Sequence, residues 1–159
     1  MSKSKHNKIK ADKKVEVDKS FSKIWRWIFF AWIVALVSTL SALFIGEVMG
    51  QVPCVLCWYQ RIFMFPLAVI LGIAVYRVDT SIWRYGLPLA IAGGVVALFH
   101  SLLFMEIIPE PLKPCGREGP SCSGDDMTLF GFLPIPVLAV IAFTLIIIFL
   151  SLIFKGDKK

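Results

Sequence analysis

Charge is what this chain lacks over most of its length. Tyr85–Phe104 and Pro136–Phe154 contain no Asp, Glu, Lys or Arg, Val55–Tyr76 contains only Arg61, and Ile24–Ile45 only Arg26. A soluble helix of such length keeps a polar face, and these runs have none. The composition, 57% hydrophobic with a mean hydropathy of +0.76, likewise excludes an ordinary soluble domain. At about 1.5 Å per residue each run spans roughly 28–33 Å, the thickness of a bilayer's hydrocarbon core. Other absences narrow the reading. No small-residue cleavage pattern follows the first run, which is longer than the roughly 7–15 residue core of a secretory signal, so it is expected to remain as a helix. There is no internal repeat. The middles of the runs are nearly empty of ionisable residues, which argues against a transporter built around midplane charges.

What charge there is sits at the ends. Residues 1–23 hold eight lysines with Asp12, Glu16 and Asp18, and read as a polar tail that is disordered or a frayed helix near the membrane. Arg77 and Arg84 flank the link "RVDTSIWR", and the chain closes on "KGDKK". Thirteen of the seventeen Lys and Arg fall in these three regions and a fourteenth, Arg26, at the adjoining start of the first run; two lie in the segment Met105–Ile135, and one, Arg61, within the second run. By the positive-inside rule the three basic regions face the cytoplasm, so nucleic acid is not needed to explain the charge. The expectation is an all-α membrane protein: a cytoplasmic tail over 1–23, a four-helix bundle over 24–154 (helices about 24–45, 55–76, 85–104 and 136–154), and a short cytoplasmic tail over 155–159. Both termini lie inside. "FGFLPIPVLA", Phe130–Ala139, is apolar but broken by two prolines, and is expected in the outer interface.

This topology places all four cysteines on the outer side. Cys54 and Cys57 lie at the first loop, Cys115 and Cys122 in the second. Disulfides persist outside the cytoplasm, and an even count grouped in two pairs reads as two disulfides. In "QVPCVLCWYQR", Pro53 suits the first turn of a helix, which puts Cys54 and Cys57 on one face of the helix's first turns. A helix N-terminus favours a thiolate, the species that attacks disulfides. Cys115 and Cys122 enclose "GREGPS", a polar turn whose disulfide a soluble protein could reach and exchange. Two inert staples are the plain alternative, although a C-x-x-C closes too few residues to stabilise much. A zinc site is the other, but a spacing of six is atypical for a zinc knuckle and the outer face oxidises free thiols. No metal is expected.

Arg61 follows Cys57 by four residues, on the same helix face. A charge at that depth either snorkels to headgroups or faces a cavity, where it could hold an oxygen that gains negative charge, as a quinone carbonyl does on reduction. His100, near the outer end of the third run, is either a bundle-facing polar residue bonded to a neighbour or a hydrogen-bonding group for a ligand at the rim. Trp58 and Tyr59 read as interface-belt aromatics and Glu47 as a solvated loop residue.

"PCVLCWYQR", the later "KPCGREGPSC", "VILGIAVYRVDT", "FGF" followed by "PIP", and four runs with internal termini together resemble the disulfide bond formation protein B family, DsbB, and more narrowly its short Gram-positive BdbC type. The resemblance covers about Trp32 to Lys155 and leaves out the lysine-rich tail. The loop between Cys115 and Cys122 departs from the longer Gram-negative form, whose second pair is further apart. The resemblance implies a quinone-dependent protein-dithiol oxidase in the cell membrane, which reoxidises an extracytoplasmic thioredoxin-like partner of DsbA or BdbD type. It implies that Cys54 and Cys57 are the quinone-coupled pair, Cys115 and Cys122 the partner-facing pair, and Arg61 and His100 the quinone site. The quinone is menaquinone or ubiquinone, with menaquinone favoured by the Gram-positive likeness. Two other functions fit the residues less well. A vitamin K epoxide reductase type would place its C-x-x-C at a late helix, and a non-enzymatic membrane scaffold or transporter with structural disulfides is disfavoured by midplane depths nearly empty of charge.

Overall fold

The computed structural model describes residues 2–105, 107, 128–129 and 133–157. Four long helices form a bundle: α1 (Ser2–Leu43), α2 (Val55–Arg77), α3 (Trp83–Phe104) and α4 (Ile135–Asp157). All four are long and apolar enough to cross a bilayer, over Ser22–Val48, Val55–Arg77, Thr80–Phe104 and Ile135–Gly156. They pack as a ring in chain order, α1 on α2, α2 on α3, α3 on α4, and α4 back on α1. Strands β1 (Thr128–Leu129) and β2 (Leu133–Pro134) pair antiparallel just before α4 begins.

The helix ends lie within a few residues of the ends of the apolar runs, with one larger difference. The basic segment, read as disordered or a frayed helix, is helical from Ser2 and continuous with the first span. It contains neither Gly nor Pro, and a helix already nucleated by the span extends at little cost through such residues. α3 starts two residues early because Asp79 organises the turn before it. Its Oδ1 accepts from the Ser81 N–H at 2.9 Å, and its Oδ2 accepts from the Tyr85 hydroxyl at 2.5 Å.

The core follows coiled-coil spacing. Ile28, Ala31 and Ala35 face inward from α1, Met64, Leu67, Leu71 and Ala74 from α2, and Phe143, Ile146, Leu150 and Ile153 from α4. Apolar residues on the other faces, such as Leu40, Val69, Val95 and Ile148, are exposed, as a surface solvated by lipid tails requires. Lipid provides no hydrophobic drive to bring helices together, so close backbone approach must do so. On α3 the inward stripe is accordingly small: Gly86, Ala90, Gly93 and Ala97.

Gly93 is the tightest point. A Cβ there would stand 2.3 Å from Phe143 Cε1 and 2.9 Å from Phe63 Cβ. Gly93→Ala is therefore expected to destabilise the bundle by about 1–3 kcal/mol through overpacking. Gly94→Ala adds a Cβ whose nearest neighbour is 3.5 Å away, an ordinary contact, and is expected to leave stability within about 0.5 kcal/mol. Thermal unfolding of both variants in one detergent checks the contrast.

Candidate active site

The first turn of α2 builds the centre. α1 ends in a π-helical turn over Phe44–Val48, and a short link leads to Cys54, which packs against Leu103 of α3. Cys54 is extended, with φ −68° and ψ 168°, and caps α2. The helix therefore starts at Val55, and Pro53 stands one residue before the cap rather than within the first turn. A helix leaves its first N–H groups without partners. Here the Cys54 Sγ accepts the Cys57 N–H at 3.3 Å, so a sulfur takes the place of the usual capping oxygen.

The two sulfurs stand 3.1 Å apart and share a hydrogen bond. Cys54 and Cys57, expected as a disulfide, are present as two thiols. Cys115 and Cys122 lie outside the described residues. Cys54 is buried against Leu56 and Leu103. The hydrogen bond with the Cys57 thiol, helped by His100, draws Cys54 down to about 4 from the ordinary thiol range, while burial acts the other way. Cys54 is thus the more acidic member of the pair.

His100 is fully buried. Its Nε2 faces the Cys54 Sγ at 3.7 Å, and its Nδ1 is held by the Gln60 side-chain amide at 3.0 Å. A chain of polar contacts therefore runs from Gln60 through His100 and Cys54 to Cys57. Sequence reasoning did not single out Gln60. Its signal was present: it is a polar residue one turn after Cys57, where the apolar run should otherwise have begun.

Cys57, Gln60, Arg61 and Met64 recur at helical spacing along one face of α2, and all four line a cavity of about 670 Å³. Val37, Ser41 and Ile45 of α1 and Leu138, Ala142 and Phe143 of α4 close it. Its size and its mostly apolar walls with a few polar groups are those of a small-molecule site. His100 is not among the lining residues. It stands behind the sulfurs, on the α3 side.

Arg61 is turned inward. Its Nη2 donates to the Ala42 carbonyl at 2.8 Å, and its guanidinium lies 5.5 Å from the centre of the Trp58 ring. The carbonyl end of α1 carries partial negative charge, so it compensates a cation at this depth. Gly46 leaves the space, since a Cβ there would be 3.1 Å from Nη2. Trp58 and Tyr59 are otherwise about half exposed, as belt aromatics are, and Glu47 is exposed.

Residues 24–153 match the family model for disulfide bond formation protein DsbB. A probable disulfide formation protein of Metapseudomonas resinovorans is 60% identical over 81% of this chain and 90% of its own. Disulfide bond formation protein C of Bacillus subtilis is 46% identical over 84% of this chain and 95% of its own. A probable disulfide formation protein of Coxiella burnetii is 37% identical over 83% and 90%. No solved structure gives a significant match.

Proposed function

The chain belongs to the DsbB disulfide bond formation family, and from that premise we propose that it oxidises an extracytoplasmic thioredoxin-like dithiol protein and passes the electrons to a membrane quinone. Membrane disulfide formation is the activity that the family carries. The route through this chain's residues is the finer reading. One observation carries it: Cys57 and Arg61 line the same cavity, with Cys54 in contact with Cys57 behind it.

The cavity fits a quinone by its chemistry. Its walls are apolar, as a lipid-soluble ring and tail need, and Arg61 supplies a cation for an oxygen that becomes electron-rich. When bound, the quinone accepts two electrons and two protons. Menaquinone is the favoured acceptor and ubiquinone the alternative.

On the protein side the steps are thiolate–disulfide exchanges. A partner thiolate attacks the Cys115–Cys122 disulfide, and resolution leaves the partner oxidised and this pair as a dithiol. That dithiol reduces the Cys54–Cys57 disulfide. The Cys54 and Cys57 dithiol then gives up two electrons and two protons and becomes a disulfide again. Cys57, which borders the cavity, is the donor side. His100 steadies Cys54 as a thiolate, and Arg61 orients the acceptor. The first dithiol therefore stands where water-soluble and lipid-soluble redox partners can be joined.

Alkylation-based redox typing of all four cysteines tests this. With reduced partner alone, all four are expected to become alkylatable. Added menaquinone or ubiquinone should return them to disulfides, and the faster of the two identifies the acceptor. Cysteines that never change state would overturn the reading. Sidedness is tested separately: a membrane-impermeant thiol reagent, applied to intact cells after mild reduction, is expected to label Cys115 or Cys122. Labelling only after lysis would reverse the proposed topology.

A further inference from the structure

We propose that the reduced Cys54 and Cys57 pair, together with His100, forms a site for a thiophilic divalent cation such as Zn²⁺, and that occupancy holds the pair reduced. The Cys54 Sγ, the Cys57 Sγ and a ring nitrogen of His100 all lie within 4.8 Å of one another. Two thiolates and one imidazole are a donor set that zinc favours.

The geometry needs little adjustment. Tetrahedral zinc with Zn–S near 2.3 Å and Zn–N near 2.05 Å separates two sulfurs by about 3.8 Å, and a sulfur from a nitrogen by about 3.6 Å. The Cys54–His100 distance, 3.7 Å, already agrees. The sulfurs, at 3.1 Å, must part by roughly 0.7 Å to reach that spacing, which a small side-chain rotation at Cys57 supplies.

The surroundings favour a site rather than a chance cluster. Cys54 and His100 are 1% and 0% exposed, so little ordering remains to be done. The second nitrogen of His100 is already held by Gln60. A half-turn of that amide presents Oε1 to an Nδ1–H and leaves Nε2 to the metal, the outer-shell support that ligating histidines usually have. Cys57 borders the cavity, which gives a cation its access and leaves the fourth position open to water.

Binding displaces the protons of the two thiols, and no electron moves. The disulfide form offers neither thiolate, so the site exists only in the reduced state. The cation thus competes with oxidation of the pair. Only the reduced pair is required, so the inference is independent of which acceptor the cavity holds.

The test uses the full chain in detergent with Cys115→Ser and Cys122→Ser, reduced anaerobically, titrated with Zn²⁺ against a chromophoric chelator and with Co²⁺ by absorption. One equivalent is expected, with sulfur-to-cobalt charge-transfer bands, and none after the first pair is oxidised. His100→Gln is expected to weaken binding at least tenfold, and Gln60→Ala about tenfold. Absence of binding by the reduced chain, or equal binding by the oxidised chain, would overturn the proposal. So would unchanged affinity in Gln60→Ala together with a cobalt spectrum lacking sulfur bands. Those last two readouts decide the matter even if His100→Gln fails to fold.

Discussion

Arg61→Leu is expected to raise the apparent KM for quinone by about 10–100-fold, the range given by loss of a hydrogen bond from a charged group, roughly 1.5–3 kcal/mol. The side chain has two tasks, and the assay must separate them. It donates to the Ala42 carbonyl at 2.8 Å and so ties α2 to the end of α1, and it lines the cavity beside Cys57. Loss of the first task lowers the melting temperature. Loss of the second raises KM. Arg61→Lys keeps the charge but not the fork of N–H groups, and is expected to fall between. In both variants the Cys115–Cys122 disulfide should still exchange with reduced partner, because that step lies upstream. A folded Arg61→Leu protein with unchanged quinone dependence would assign the arginine to headgroups and helix packing alone.

How far the sequence discloses this arrangement depends on which signals are local. Four membrane spans are legible because the near-absence of charge over 19–22 residues, with at most one arginine in each run, is itself the signal. Cys54, Cys57 and Arg61 are legible as one face because helical spacing ties them together. The cavity is not, since Val37 and Ser41 of α1 and Leu138 of α4 look like any lipid-facing positions until the helices are packed. The neighbours of His100 are hidden for the same reason: its contacts to Gln60 and Cys54 span 40 and 46 residues. The bundle-facing reading of that histidine agrees with its burial and its contacts to Gln60 and Cys54. The lysine-rich segment misleads in another way. Its composition resembles a disordered tail, but nothing in it breaks a helix that the adjoining span has already started.

Cys122→Ser is expected to accumulate a covalent complex with the partner, and Cys115→Ser much less. An exchange passes through a mixed disulfide, which the second cysteine of the attacked pair normally resolves. The order of sulfurs matters because one must meet a soluble protein and the other must reach the first pair. Cys115 lies between Pro114 and Gly116, and glycine puts no side chain beside it, so an incoming thiolate meets little bulk on that side. On the proposed route, which follows the order that the family resemblance implies, Cys122 is the released thiolate that turns to Cys54 and Cys57. Without Cys122 there is no internal disulfide, yet a lone Cys115 can still be joined to the partner and lacks its escape route. The complex should appear on a non-reducing gel and vanish with dithiothreitol. Cys57→Ser placed in the same background should not reduce its yield, because the trap forms before the first pair is engaged. Equal trapping by the Cys122→Ser and Cys115→Ser variants, or the reverse order, would exchange the roles within the second pair while leaving the oxidase reading intact.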